Sequence, residues 1–190
     1  MEKKRCPWSG KEPLYMAYHD EEWGSPVYDD KTLFEFLLLE TFQAGLSWIT
    51  ILKKRENFRK AFDKFDYQKI ANYSEDKIAS LLQDAGIIRN KLKIKSAVTN
   101  AQAFIEIQEE FGSFSKYIWG FVDGKPIKNS FKTMADLPAN TPLSDKISKD
   151  LKKRGFKFVG STVVYAHMQA TGMVNDHLES CFRYKEVVVN

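Results

Sequence analysis

The chain has 190 residues, of which 43% are hydrophobic and 28% charged, with a formal net charge of +4. That balance fits one globular unit long enough to bury a core, and two cysteines exclude a disulfide-dense scaffold. The small positive surplus does not by itself indicate nucleic acid. No apolar h-region follows MEKKRCPWSG, and the run Phe36 to Leu39 is far too short to cross a bilayer, so a cytoplasmic, membrane-free protein is expected.

In chain order, the N-terminal segment carries Cys6 and then the aromatic residues Trp8, Tyr15, Tyr18 and Trp23, with His19 among them. Core packing is the expected role of Trp23. Asp30-Lys31-Thr32 then leads into a helix from Lys31 to Phe42, and Ser47 into a helix that begins at Trp48. Asp66 and Ser74 precede two shorter helices, Asn90 opens a long periodic run to Glu110, and a further helix starts at Ser144 and stops at Gly155. The stretch 121–141, with Asp123-Gly124 and two prolines, is an irregular connection. Strand content should be minimal, and the expected class is all-α.

Between the helices at Ser74 and Asn90 lies Asp84-Ala85-Gly86-Ile87-Ile88-Arg89. An apolar helix, a glycine turn and a basic helix suit a helix–hairpin–helix element, whose amides would face a DNA phosphate. The second glycine usual in such hairpins is Ile88, and an ordinary αα-corner reads equally well. Three basic stretches, at 53–55, 89–95 and 152–157, read singly as solvated helix ends.

Two features carry chemistry. Cys6 precedes His19 by 13 positions and His177 precedes Cys181 by four, a Cys2His2 inventory suited to a closed structural zinc site that ties the two ends together. A terminal disulfide is the rival reading and leaves both histidines unexplained. The second feature is Glu40, which shares a stripe with Leu33, Leu37 and Ala44, whereas Glu35 lies on the opposite side. A carboxylate in an apolar stripe is either half of a buried ion pair or the wall of a ligand cavity. Gly45 and Trp48 follow closely, and aromatic faces beside one acceptor-only carboxylate suit a flat heterocycle with an exocyclic amine.

Taken together, Arg5-Cys6-Pro7-Trp8, the segment 13–24 (PLYMAYHDEEWG), Leu39-Glu40, 43–50 (QAGLSWIT), 84–89 (DAGIIR), 152–160 (KKRGFKFVG) and Val174-Asn175-Asp176-His177 resemble the bacterial 3-methyladenine DNA glycosylase I family. The resemblance runs from about residue 5 to Cys181; the tail beyond carries no matching motif. It implies a helix–hairpin–helix DNA glycosylase fold in a single unit, 1–190, with a helical core at 30–160 and a zinc-stapled subdomain formed by 1–29 and 161–190. It implies Cys6, His19, His177 and Cys181 as ligands of one structural zinc ion. Glu40 would hydrogen-bond the flipped base with help from Tyr18, Trp48 would stack on it, and Trp8, Tyr15 and Tyr165 would complete the pocket. His167 has no place in the metal set and is expected to pack.

The activity implied is hydrolytic release of free 3-methyladenine from double-stranded DNA containing alkylated adenine, leaving an abasic site without strand cleavage, by a monomer. Leu46, or the Gly45-Leu46 pair, would enter the vacated stack, and Gly86, Lys91, Lys152 and Lys153 would grip the flanking phosphates. Three rivals remain: a non-catalytic DNA-binding module, a zinc deaminase and a helical interaction protein. A deaminase needs an H-x-E and a P-C-x-x-C, and neither occurs.

Overall fold

The computed structural model describes residues 3–187, so both ends of the 1–190 unit and the last three residues of the tail lie outside it. Among the described residues, ten α-helices run in the order α1 (Pro13–Glu21), α2 (Asp30–Gln43), α3 (Trp48–Ala61), α4 (Tyr67–Ile70), α5 (Glu75–Gln83), α6 (Lys91–Phe111), α7 (Phe114–Gly120), α8 (Pro142–Lys153), α9 (Ser161–Ala170) and α10 (Arg183–Glu186). Strand is confined to two residue pairs among the described residues: β1 (Ile127–Lys128) and β2 (Val174–Asn175), aligned in parallel.

Side chains set most of these boundaries. Asp66, Ser74 and Asn90 each accept a backbone N–H at the start of α4, α5 and α6. Two starts differ from the sequence expectation. The N-cap of α2 is Asp29, whose carboxylate accepts from Thr32 N at 2.8 Å. Asp30 instead receives the Phe114 and Ser115 amides at the start of α7, tying the two helices together. Helix α8 begins two residues earlier than expected, because Thr141 and Ser144 form a reciprocal capping box with Pro142 in the first turn. Helices α1, α7 and α9 lie where the sequence reading placed none.

Helix α2 is the axis of the core. Every residue from Leu33 to Phe42 is buried. Leu33, Leu37, Leu38 and Leu39 each contribute roughly 1.5–3 kcal/mol by leaving water. Helix α9 packs against both α2 and α8. Glu35, on the side of α2 opposite Glu40, is also buried: it accepts from Arg55 Nε at 2.6 Å and Arg59 Nη2 at 2.7 Å. Arg55 reaches on to Glu22 at 2.7 Å, so an ion-pair chain links α1, α2 and α3.

The basic stretches separate on inspection. Lys54 donates to the Ala85 and Gly86 carbonyls, and Arg154 pairs with Glu110 and Asp150. Lys93 turns inward, its ammonium on the Phe42 and Ala44 carbonyls at 2.9 and 2.7 Å. These cations brace the fold. Lys91, Lys95, Lys152, Lys153 and Lys157 remain exposed.

Candidate functional site

Four side chains from the two chain ends meet in the first of two buried clusters. Cys6, His19, His177 and Cys181 offer ligand atoms all within 4.8 Å of one another. Cys6 Sγ lies 3.7 Å from His177 Nδ1, and Cys181 Sγ lies 3.5 Å from His19 Nε2 and 3.6 Å from His177 Nδ1. Those edges suit a tetrahedron with bonds of about 2.0–2.3 Å to a central ion.

The outer contacts favour the same arrangement. His19 Nδ1 is 2.8 Å from Asp20, which is itself held by Arg5, and His177 Nε2 is 3.0 Å from the Trp23 carbonyl. Each outward nitrogen thus has an acceptor for its proton, leaving the inward nitrogen as a lone-pair donor. A hydrogen bond from the Cys6 thiol holds Cys181 far below the usual thiol range against the cost of burial; the same bond raises Cys6. Gly24, at φ +79°, lets the backbone approach His177: a Cβ there would sit 3.0 Å from Nε2. Both cysteines are free, so the disulfide reading fails.

Beside this cluster lies a cavity of about 220 Å³. Trp8, Tyr15, Tyr18 and Trp23 line it from the N-terminal segment, and Glu40, Gln43 and Trp48 from α2 and α3. Ala166, Gln169 and Ala170 form the α9 wall, and Met134 and Leu137 come from the irregular connection. Trp8 packs tilted on Tyr15 with centroids 5.0 Å apart, and edge-on against Trp23 at 4.9 Å. Trp23 is therefore both core, as expected, and cavity wall.

Glu40 is 2% exposed and belongs to both readings of a buried carboxylate. Its Oε2 lies 3.0 Å from His167 Nδ1, yet the cavity remains open beside it. Burial raises its carboxyl above the usual range, and His167 opposes that shift by charge and hydrogen bonding. Tyr18 is likewise pushed well above the usual phenol range, chiefly by burial and then by Glu40, so it stays protonated. Trp48 presents a buried Nε1–H with no hydrogen-bond partner. An unpaired donor and a buried acid on one cavity are the polar handles of a ligand site.

The remaining expected residues divide. Tyr165 does not line the cavity; its hydroxyl donates to Asp176 Oδ2 at 2.5 Å, and Asp176 also accepts from the cavity residue Gln169 at 2.8 Å. His167 does more than pack, since its ring bonds Glu40. Gly86 does not present a free amide: its N–H donates to Asp84 Oδ1 at 2.7 Å, and its φ is not positive. Gly45, at φ +81°, and Leu46, 40% exposed, form a protruding turn between α2 and α3. Met134 and Leu137 had no sequence signal, because a loop residue reaches a distant cavity only through tertiary path. Gln169 had no signal either, because the sequence reading placed no helix there.

A methyladenine glycosylase family profile matches residues 8–184. The chain belongs to that family. DNA-3-methyladenine glycosylase 1 of Escherichia coli strain K12 is 49% identical over 181 residues, covering 95% of this chain and 97% of the relative. A crystal structure of a 3-methyladenine DNA glycosylase I superposes with a TM-score of 0.92 at 50% identity, covering 94% and 98% of the two chains. A variant of such an enzyme, solved in complex with 3-methyladenine, superposes with a TM-score of 0.91 at 38% identity, covering 94% and 96%. Among the described residues of this methyladenine glycosylase family member, no helix is long and apolar enough to cross a membrane.

Proposed function

We propose that the protein is a DNA-3-methyladenine glycosylase that draws the damaged nucleotide out of the duplex and hydrolyses its N-glycosyl bond. The observation that carries this reading is Glu40, a carboxylate on the wall of an aromatic cavity open enough to admit a planar ligand. A methyl group on N3 gives adenine a positive charge while it is still attached to deoxyribose. The base then leaves neutral, so the enzyme needs little acid catalysis and must chiefly recognise the cation. Stacking on Trp48 with Trp8 and Tyr15, and the negative charge of Glu40, supply that recognition. Tyr18, a protonated phenol in the same wall, is a donor beside the acid.

Unmodified adenine lacks the charge and gains less from the acid. Damaged bases also cost less to unstack, by part of the few kcal/mol that flipping requires. No lysine lines the cavity among the described residues, which supports hydrolysis without a Schiff base and so without strand cleavage.

Zinc is the ion that two thiolates and two imidazoles in a closed tetrahedral set suit best. Cys6, His19, His177 and Cys181 would hold it, and all four are buried, which supports a structural role. In this reading the ends 1–29 and 161–190 are stapled across the core at 30–160.

DNA would lie over the α2–α3 turn, with Leu46 filling the vacated stack. The α8–α9 connection supports a helix–hairpin–helix assignment better than the α5–α6 turn does. Gly155 and Phe158 have φ of +96° and +57°, and Gly160 starts α9 with no side-chain cap on its amides. Lys152, Lys153 and Lys157 flank it, with Lys91 on α6 as a further cation.

The test is chromatography of the bases freed from a methylated duplex, with zinc content measured on the same protein. The glycosylase reading predicts 3-methyladenine in the supernatant and an intact, abasic strand. Binding of methylated duplex without release of a base would reject it in favour of a DNA-binding module.

A further inference from the structure

His167 is the buried titratable group that the reaction outlined above leaves without a role. It lies in the last turns of α9, 2% exposed, with Nδ1 3.0 Å from Glu40 Oε2. Its Nε2 is buried with no hydrogen-bond partner. A proton on Nε2 would therefore be stranded without an acceptor, and would leave the Nδ1 lone pair facing a carboxylate oxygen. The tautomer that fits carries its proton on Nδ1 and donates it to Glu40.

We propose that His167 is a positioning residue for the base pocket: its Nδ1–H holds one oxygen of Glu40, fixing the carboxylate's rotamer and its ionised form and leaving the other oxygen for the everted base. This rests on the glycosylase reading above. No other hydrogen bond reaches the Glu40 side chain among the described residues. The ionisable groups that pack around it from other helices are already engaged or neutral. On α1, Tyr15 and Tyr18 are phenols raised by burial. On α3, Arg55 is bound by Glu22 and Glu35, and on α6, Lys93 is bound by the Phe42 and Ala44 carbonyls. Of these elements only α9 places a donor within hydrogen-bond distance of the acid.

The direction of the pH effect follows. Burial raises the Glu40 carboxyl, and His167 lowers it. Without the histidine, burial acts unopposed, the acid takes up its proton at higher pH, and the acidic limb of excision moves up. A histidine that merely filled space would leave that limb in place when replaced by another ring.

The experiment compares wild type with His167→Phe and His167→Asn. Asparagine can set its amide nitrogen where Nδ1 stands; phenylalanine keeps the ring and removes the donor. Two readouts are taken: the midpoint of the Glu40 carboxyl ¹³C titration without DNA, and single-turnover release of 3-methyladenine against pH. In His167→Phe the midpoint should rise by about one pH unit and excision at pH 7 should fall ~10-fold. His167→Asn should recover most of both. If His167→Phe does not fold by circular dichroism, His167→Gln, whose amide nitrogen falls at the Nε2 place, takes its role with the same expectation. An unmoved midpoint and acidic limb, with wild-type excision intact, overturn the role of His167 alone, even if the rate falls. A wild type that releases no base overturns the glycosylase reading and, with it, the pocket role of His167.

Discussion

The two buried clusters at the joined chain ends differ in how far their polar atoms are satisfied. In the Cys2His2 cluster every side chain has inward and outward partners: thiols face imidazoles, and the outer imidazole nitrogens meet Asp20 and the Trp23 carbonyl. In the neighbouring cavity, Trp48 Nε1 has no partner, and one oxygen of Glu40 is free of His167. In the reading proposed above, the closed cluster holds the fold, and the open one takes a ligand that arrives and leaves. Buried polar groups without partners cost about 1–3 kcal/mol each, so they persist where something else completes them.

That contrast can be broken most severely at the closed cluster. Cys181→Ser, or metal removal by a chelator, should lower the thermal midpoint by ten degrees or more, on the order of several kcal/mol, because the ligand set joins both ends of the chain. Scanning calorimetry with and without added zinc checks this, and a midpoint unchanged by chelation would deny the cluster its structural role. Glu40→Gln should act in the opposite way. Single-turnover excision should fall by roughly 10²-fold while helicity and zinc content stay put, since the amide keeps the shape and loses the charge. Equal excision by this variant would remove the acid from the reaction.

Trp48→Phe sharpens the comparison further. It deletes an unpaired donor, so stability should change by less than about 1 kcal/mol, whereas affinity for free 3-methyladenine should drop roughly tenfold. Isothermal calorimetry and a denaturant melt give the two numbers. The smallest effects belong to the surface: Lys152→Ala and Lys153→Ala should each reduce the salt slope of duplex binding by about one, with little change in stability. Binding curves at several salt concentrations measure it.

How much was legible in the sequence follows the same division. Cys6, His19, His177 and Cys181 could be grouped because metal ligands must be of few residue types, and there were few to choose among. Glu40 stood out because helical periodicity puts it among leucines. The same periodicity put Glu35 on the opposite side, but could not tell that this side meets Arg55 of α3 rather than water. The partnership of Glu40 with His167 spans 127 positions, and no local pattern announces it. Tyr165 was expected in the pocket on the family resemblance alone, but the turn of α9 that faces the cavity is carried by Ala166, Gln169 and Ala170. Gly86 suggested a hairpin with free amides, and Asp84 two residues earlier had already claimed its N–H. Helices α1, α7, α9 and α10 were missed although α7 carries a stripe of Phe114, Tyr117 and Ile118, because that stripe spans only seven residues.

The sequence separation within the closed cluster also has a bearing on biosynthesis. Cys6 and His177 stand 171 positions apart, so a nascent chain cannot assemble the four-residue cluster until synthesis has passed Cys181. Under the metal reading proposed above, a product cut short before His177 would keep Cys6 and His19 without the other two ligands, so bound metal would mark chains made through Cys181.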